Sequence, residues 1–279
     1  MEDYQKQLFP YAYNILGSTE DAKDAVQEIV VKYHLKSKKS IENETGYLIR
    51  SVINESINLK KKLQRSYADS MWLPEPVFTD SNYDGLDSSE IISYSMLVLL
   101  EKLSSKERAV FMLREAFDYS HQEIAAVLNL TLQNSRKLLS RAKLKLEGYQ
   151  SHRKAISTTN ASKEFLQGYI RSIREGDVQS LEKLLSEDVS LAADGGGEIQ
   201  VVRELTHGVT AAIKLLLYVY KTYQRQQQIE IGYINHQPAL LYYEDSKLVN
   251  CQIFQISNGK IEKIFAQLTP DKLNAISET

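Results

Sequence analysis

Residues Ser120 to Lys143, SHQEIAAVLNLTLQNSRKLLSRAK, limit the fold of this chain more than any other stretch. Ser120 followed three residues later by Glu123 is a capping box, which starts a helix. Ile124, Val127 and Leu128 give that helix one apolar face, and Asn129 suits the left-handed residue of a tight turn. Thr131 can cap a second helix with Leu138 and Leu139 turned inward, so the stretch reads as a helix-turn-helix. Gln133, Asn134, Arg136, Lys137, Ser140 and Arg141 are left on the outer side. Such side chains meet base edges and phosphates when a helix lies in a major groove. From Leu130 to Lys154 there are seven Lys or Arg and one acid, Glu147, the local charge balance that phosphate binding needs. An ordinary αα-hairpin with a solvated basic face has the same pattern, and this stretch alone leaves both readings open.

Charge over the whole chain is balanced, −2 over 279 residues, which excludes a generally basic nucleic-acid coat. Any DNA contact must come from local patches. The length predicts about two domains. A single cysteine, Cys251, cannot form an internal disulfide and fits a reducing compartment. Its neighbours Val249, Ile253 and Phe254 predict a small buried hydrophobe rather than a reactive thiol. The first residues lack a basic segment followed by an apolar one, and no window nears 18 uncharged apolar residues; the expectation is a soluble cytoplasmic protein.

Apolar periodicity divides the chain. Residues 1–66 read as all-helical. Leu8, Phe9, Ala12, Ile15 and Leu16 form one stripe ended by Gly17, with Ser18 or Thr19 capping the next helix. In that helix Ala22, Val26, Ile29 and Tyr33 face inward and Glu20, Asp21, Asp24 and Glu28 outward. A third helix, from about Glu44 to Leu63, turns Leu48, Val52, Ile53 and Ile57 inward and leaves through Lys60, Lys61, Lys62 and Arg65. Residues 67–89, with Pro74, Pro76 and a turn-forming run to Gly85, read as a linker. Residues 90–150 form a second helical block with another capping box, Ser104 to Glu107, before the helix-turn-helix. Residues 160–279 begin with a helix over Phe165 to Leu185, interrupted at Gly176-Asp177. Alternating runs follow: Val189–Leu191, Gln228–Ile234, Ala239–Tyr243, Val249–Ile256 and Lys260–Gln267. Helices followed by a meander of antiparallel strands predict an α+β domain.

Two helical blocks, an acidic helix first and a helix-turn-helix last, resemble an extracytoplasmic-function (ECF) sigma factor. Leu16 to Glu28 (LGSTEDAKDAVQE) is similar to the region-2 helix that these factors lay against polymerase, Gly46 to Asn58 (GYLIRSVINESIN) to the helix that opens and reads the minus-ten element. Leu103 to Arg114 with Asp118 to Ala126 is similar to region 4, which reads the minus-thirty-five element. Asn58 stands where the family usually has Asp. The resemblance implies core RNA polymerase as partner, through its beta-prime clamp helices and beta flap, and promoter DNA at both elements. It implies polymerase contact by Asp21, Asp24, Gln27 and Glu28, and DNA contact by Arg50, Asn54, Asn58, Lys60, Lys61, Lys62 and Arg65 with the outer residues of the helix-turn-helix. A carboxylate-rich helix face suits a basic partner surface, and a Lys/Arg cluster suits a phosphate backbone.

Trp72 to Pro76 (WLPEP) resembles the linker signature of the ECF subgroup that carries a SnoaL-like C-terminal extension. Asp194 to Gly197 (DGGG), Asn235 to Leu240 (NHQPAL) and Thr269 to Leu273 (TPDKL) resemble the subgroup's other motifs, although Glu198 stands where a basic residue is common. A Trp between X-Pro bonds suits docking, because proline holds the segment extended and the indole offers a broad apolar face. Three glycines allow close backbone approach, so Asp194, Gly195, Gly196 and Gly197 can accept Trp72, Pro74, Glu75 and Pro76, with Pro270 and Asp271 nearby; a turn that needs glycine for sterics alone remains the other reading. SnoaL-like cones include enzymes with a buried Asp or His base. The candidates here, Asp194, His207, His236 and Asp245, fall in turns or beside glycine, and Tyr218, Tyr220, Tyr233, Tyr242 and Tyr243 read as half-buried packing. The expectation is a regulatory domain with no catalytic residues, no metal and no cofactor. A small-molecule ligand in the cone, a conventional dimeric regulator and a bifunctional protein with a catalytic cone stay open as alternatives.

Overall fold

The computed structural model describes residues 2–35, 43–63, 72–79, 90–146, 159–197, 199, 201–202 and 205–277. The chain divides into two compact units: Met1–Asp69 with Asn82–Ser151, and Ser70–Ser81 with His152–Thr279.

The first unit is helical. Helix α1 (Glu2–Leu16) stops at Gly17, whose φ of 75° only glycine adopts freely, and Ser18 Oγ accepts the Asp21 amide at 3.1 Å to start α2 (Thr19–Leu35). Asn43 Oδ1 caps α3 (Glu44–Leu63) by accepting the Gly46 amide at 2.9 Å. The second block holds α4 (Tyr94–Leu99), a short 3-10 turn at Leu100–Lys102, α5 (Ser105–Glu115), α6 (His121–Leu128) and α7 (Leu132–Lys145). Both predicted capping boxes form, Ser104 with Glu107 and Ser120 with Glu123. Asn129 closes α6 in the left-handed conformation, and Thr131 Oγ1 caps α7 through the Asn134 amide. Ile124, Leu128, Leu138, Leu139 and Ala142 pack on α5 through Phe111, Met112 and Leu113. Tyr11, Ile15, Ile53 and Ile57 of the first block join the same cluster, so the two helical blocks share one core.

The second unit is a six-stranded sheet in the order β2-β1-β6-β5-β4-β3. Its strands are β1 (Leu185–Asp194), β2 (Thr206–His207), β3 (Gln228–Ile234), β4 (Gln237–Glu244), β5 (Lys247–Ser257) and β6 (Lys260–Gln267). Two-residue turns at Asn235-His236, Asp245-Ser246 and Asn258-Gly259, all with positive φ, join β3 to β6 as the meander expected. The sheet is nevertheless mixed, because β1 runs parallel to β6. The long connection through α10 (Val209–Val219), which the strand pattern did not suggest, permits that crossover. Helices α8 (Thr159–Glu175), α9 (Val178–Leu184) and α10 cover one sheet face, where Leu166, Tyr169, Ile213 and Leu216 meet Leu240, Tyr242, Phe254 and Ile264. Tyr169 and Phe254 meet edge-on at 5.2 Å. Helix α11 (Pro270–Ser277) closes the chain. Cys251 is fully buried, and burial pushes its thiol pKa up, as a structural cysteine requires. Tyr218 departs from the expected packing: it is 59% exposed and meets Tyr223 edge-on across a single π-helical turn at Tyr220–Gln224.

Asn129 tests the turn of the helix-turn-helix. Asn129→Gly is expected to leave the melting temperature unchanged or slightly higher, whereas Asn129→Val should cost about 1–2 kcal/mol, read by thermal or urea unfolding.

Candidate functional site

The outer side of α7 presents the polar and basic residues that the sequence singles out. Gln133, Arg136, Lys137, Ser140 and Arg141 are exposed and Asn134 is half-buried, while Ser135 on the opposite side is buried and within 2.9 Å of His121 Nδ1. That contact ties α7 to α6. Burial, then the nearby cations Arg114, Arg136 and Lys143, lowers the His121 pKa and favours the neutral ring. Lys143 and Lys145 are exposed but paired with Glu115 and Glu107 at 2.8 and 2.7 Å, whereas Arg136, Lys137 and Arg141 are exposed cations of α7 with no ion pair among the described residues.

On α2, Asp24, Gln27 and Glu28 are exposed and Asp21 half-buried, opposite the buried Ala22, Ala25, Val26 and Ile29. On α3, Arg50, Asn58, Lys61 and Lys62 are exposed. Two of the DNA-contact candidates are not. Asn54 Nδ2 donates to the Val127 carbonyl of α6 at 3.1 Å, and Lys60 is 3% exposed. The Lys60 ammonium donates to Leu16 O at 2.8 Å and to Glu101 at 2.9 Å, so in this arrangement it faces the protein interior rather than a DNA backbone. Arg65 lies outside the described residues.

The linker meets the sheet of the second unit at two points. At the first, Asp194, the last residue of β1, accepts the Leu73 amide at 2.9 Å and the Lys272 ammonium at 2.7 Å on one carboxylate oxygen. Its other oxygen accepts the Gly196 amide at 2.9 Å and the Thr269 hydroxyl at 3.2 Å. Burial pushes the Asp194 pKa up, but the Lys272 charge and these hydrogen bonds outweigh it and hold the carboxyl below its ordinary 3.8. Lys272 also donates to Leu73 O at 2.6 Å and lies 4.6 Å from the centre of the Trp72 ring, a cation–π contact. A side chain on Gly195 would meet Ile199 O at 2.2 Å, which is why glycine follows the aspartate.

At the second point the linker adds to the sheet edge. Val77 and Asn235 exchange hydrogen bonds, Val77 N to Asn235 Oδ1 and Asn235 N to Val77 O, both 2.9 Å. Thr79 N donates to Tyr233 O at 2.9 Å, His236 N donates to Thr79 Oγ1 at 2.7 Å, and Phe78 bridges Ile234 in antiparallel register. Phe78 also covers Gly232, where an added Cβ would sit 3.0 Å from its ring. Pro74 and Pro76 are buried, and Trp72 and Glu75 half-buried.

Asp271 is exposed and Pro270 half-buried; neither carries the polar contact, which falls to Lys272 one residue on. Lys272, Thr269, Asn235 and Phe78 are the residues that sequence reasoning missed. The TPDKL and NHQPAL motifs contained three of them, but nothing in one sequence says which motif residue turns inward. Of the catalytic candidates, Asp194 is committed to the linker, His236 and Asp245 are positive-φ turn residues, and His207 is exposed on the short edge strand.

Residues 1–66 match the family model "Sigma-70 region 2" and residues 94–146 the model "Sigma-70, region 4". The chain is 24% identical over 233 residues to "ECF RNA polymerase sigma factor SigJ" of Mycobacterium tuberculosis, covering 80% of this chain and 72% of that protein. It is also 24% identical over 277 residues to "Probable ECF RNA polymerase sigma factor SigI" of the same species, covering 96% and 92%. The fold is similar to the crystal structure of M. tuberculosis SigJ, with a TM-score of 0.78 and 21% identity over 99% of this chain and 97% of that one.

Asp194 and Lys272 are mutually dependent. Asp194→Asn or Lys272→Met alone should destabilise the second unit by about 3–5 kcal/mol, and the double variant should recover part of that loss. Because the native Asp194 pKa is depressed, its contribution is present above about pH 4 and lost as pH falls below. Urea unfolding from pH 7 down to 3 should show this loss in the natural chain and not in Asp194→Asn.

Proposed function

With the chain taken as an ECF sigma factor of the sigma-70 family, region 2 in its first helical block and region 4 in its second, we propose that it directs promoter-specific initiation by core RNA polymerase and that its C-terminal cone controls this in cis. The exposed carboxylates Asp24 and Glu28, with Asp21 and Gln27, form the polymerase-facing side of α2. Arg136, Lys137 and Arg141 contact the minus-thirty-five element, and Arg50, Asn58, Lys61 and Lys62 the minus-ten region. A repressor-like role without polymerase has no use for α2's acidic face.

The observation that carries the regulatory part is the double attachment of the linker. Leu73 is held through both its amide and its carbonyl by Asp194 and Lys272, and Val77 by Asn235. A linker gripped along Trp72–Thr79 has less freedom to set the spacing of the two DNA-reading blocks, and a bias of about 1.4 kcal/mol changes the competent fraction up to tenfold. The cone acts here as a holder of the linker rather than as a catalyst. Its interior is packed by Tyr169, Tyr242 and Phe254, and its most buried carboxylate candidate is already paired.

Purified chain plus sigma-free core should yield a promoter-specific transcript; tight specific binding to promoter DNA without core would favour the dimeric-regulator reading instead. Charge reversal, Asp24→Lys, should impair assembly with core and leave the melting temperature nearly unchanged, as for an exposed helix site. Removing residues after 158, or Trp72→Ala, should change transcription severalfold in the same direction. If neither changes it, the cone is an independent module.

A further inference from the structure

Helix α10 and the π-helical turn after it carry an aromatic and basic face that the linker-holding role of the second unit leaves unused. Tyr218 and Tyr223 are 59% and 63% exposed. Residues five apart stand about 140° round an α-helix of 3.6 residues per turn, and so point away from each other. The π-turn at Tyr220–Gln224 takes up that difference. Gln224 is buried and Tyr220 packs on the core cluster, while Tyr218 and Tyr223 come together on the outside. Their rings meet edge-on, with centres 6.4 Å apart and planes at 82°, which leaves a face of each ring uncovered by the other. A hydrogen bond with Tyr218 raises the Tyr223 pKa above its ordinary 10 and links the pair. Single π-turns are rare inside helices and gather at functional sites.

Charge on this face has one sign. No Asp or Glu occurs from Leu205 to Ile229, whereas Lys214, Lys221 and Arg225 do, and all three are exposed. Glu187 and Asp188 of β1 lie by the opposite end of α10, where Gly208 N donates to Val189 O at 2.9 Å. From Lys214 to Arg225 the axis runs about 16 Å at 1.5 Å per residue. That is the length of roughly four or five stacked nucleotides at ~3.4 Å each.

Open ring faces set among cations, with no acid between them, suit a polyanion that has flat faces to stack. A duplex hides the faces of its bases in its own stack and offers edges and phosphates only, so the matching partner is an unpaired strand. We propose that this face binds single-stranded DNA, with bases stacked on Tyr218 and Tyr223 and phosphates held by Lys214, Lys221 and Arg225, and that the strand is one freed when the promoter opens. The source of the strand rests on the initiation role proposed above; the binding itself does not.

Anisotropy of a short labelled oligothymidylate titrated with the full chain tests the surface. Tyr218→Ala combined with Tyr223→Ala should weaken binding about tenfold or more, at an unchanged melting temperature because both sites are exposed. Tyr218→Phe with Tyr223→Phe keeps the rings and should bind like the natural chain. Lys221→Gln should flatten the slope of log affinity against log salt by about 0.7. Unchanged affinity in the double alanine variant overturns the proposal, as does an equal loss in the double phenylalanine variant. Impaired assembly with core polymerase at unchanged strand affinity assigns the face to a protein instead. Tighter binding of oligouridylate, lost in the same alanine variant, assigns it to RNA; either result overturns the choice of DNA. With core bound, 4-thiothymine in the opened promoter strand should crosslink to residues 214–225, and crosslinks confined to the helical unit overturn that source. If the natural chain gives no transcript with core while the alanine variant still loses strand affinity, the initiation reading fails and the surface stands.

Discussion

Within the described part of the linker, Trp72–Thr79, the chain forms no helix and only a single bridge at Phe78, and two of its residues, Pro74 and Pro76, have no N–H to donate. Buried polar groups left without partners cost free energy, so such a segment either stays in water or finds partners elsewhere. Here the sheet of the second unit supplies them. Asp194 and Lys272 act as an acceptor and a donor for one residue, Leu73, and the Asn235 side chain stands in for a peptide group opposite Val77. Residues 70–81 consequently belong with the C-terminal unit, although in sequence they sit inside the helical half.

This arrangement explains several local choices that look unrelated. Gly195 lets the Asp194 loop fold back on Ile199, and Gly232 clears a place on the edge strand for Phe78. The positive φ values of Asn235 and His236 make the tight turn that presents the Asn235 amide group to the linker, a conformation that asparagine tolerates better than most residues. Asp194 is buried only because Lys272 neutralises it, and Lys272 loses little by leaving water because it gains a carboxylate, a carbonyl and an indole face. Each group is acceptable inside because the others are present.

The helical unit obeys the same rule with a different outcome. Its buried charges, Lys60, Glu101 and Arg108, are coupled across two sequence blocks, and one guanidinium nitrogen of Arg108 is left unpartnered among the described residues. Apolar contacts such as Tyr11 on Phe117 supply much of the cohesion there.

Local signals in the sequence determined the helices of the first unit and most of the strands, but not α10 or α11 of the second unit. Capping boxes at Ser104 and Ser120, the left-handed Asn129, the acidic face of α2 and the hairpin turn at Asn258-Gly259 all act within a few residues, where one sequence carries the whole cause. The resemblance to sigma regions 2 and 4 was legible for the same reason, since it rests on contiguous motifs. Tertiary structure alone decided that β1 pairs parallel with β6, that Lys272 rather than Asp271 meets Asp194, and that Lys60 turns inward from a run of three lysines. Periodicity gives the inward face of a helix for apolar residues, but a lysine's long stem lets its charge follow a carboxylate contributed from 41 residues away. Which partner waits there is a property of the packed chain, and no local pattern encodes it.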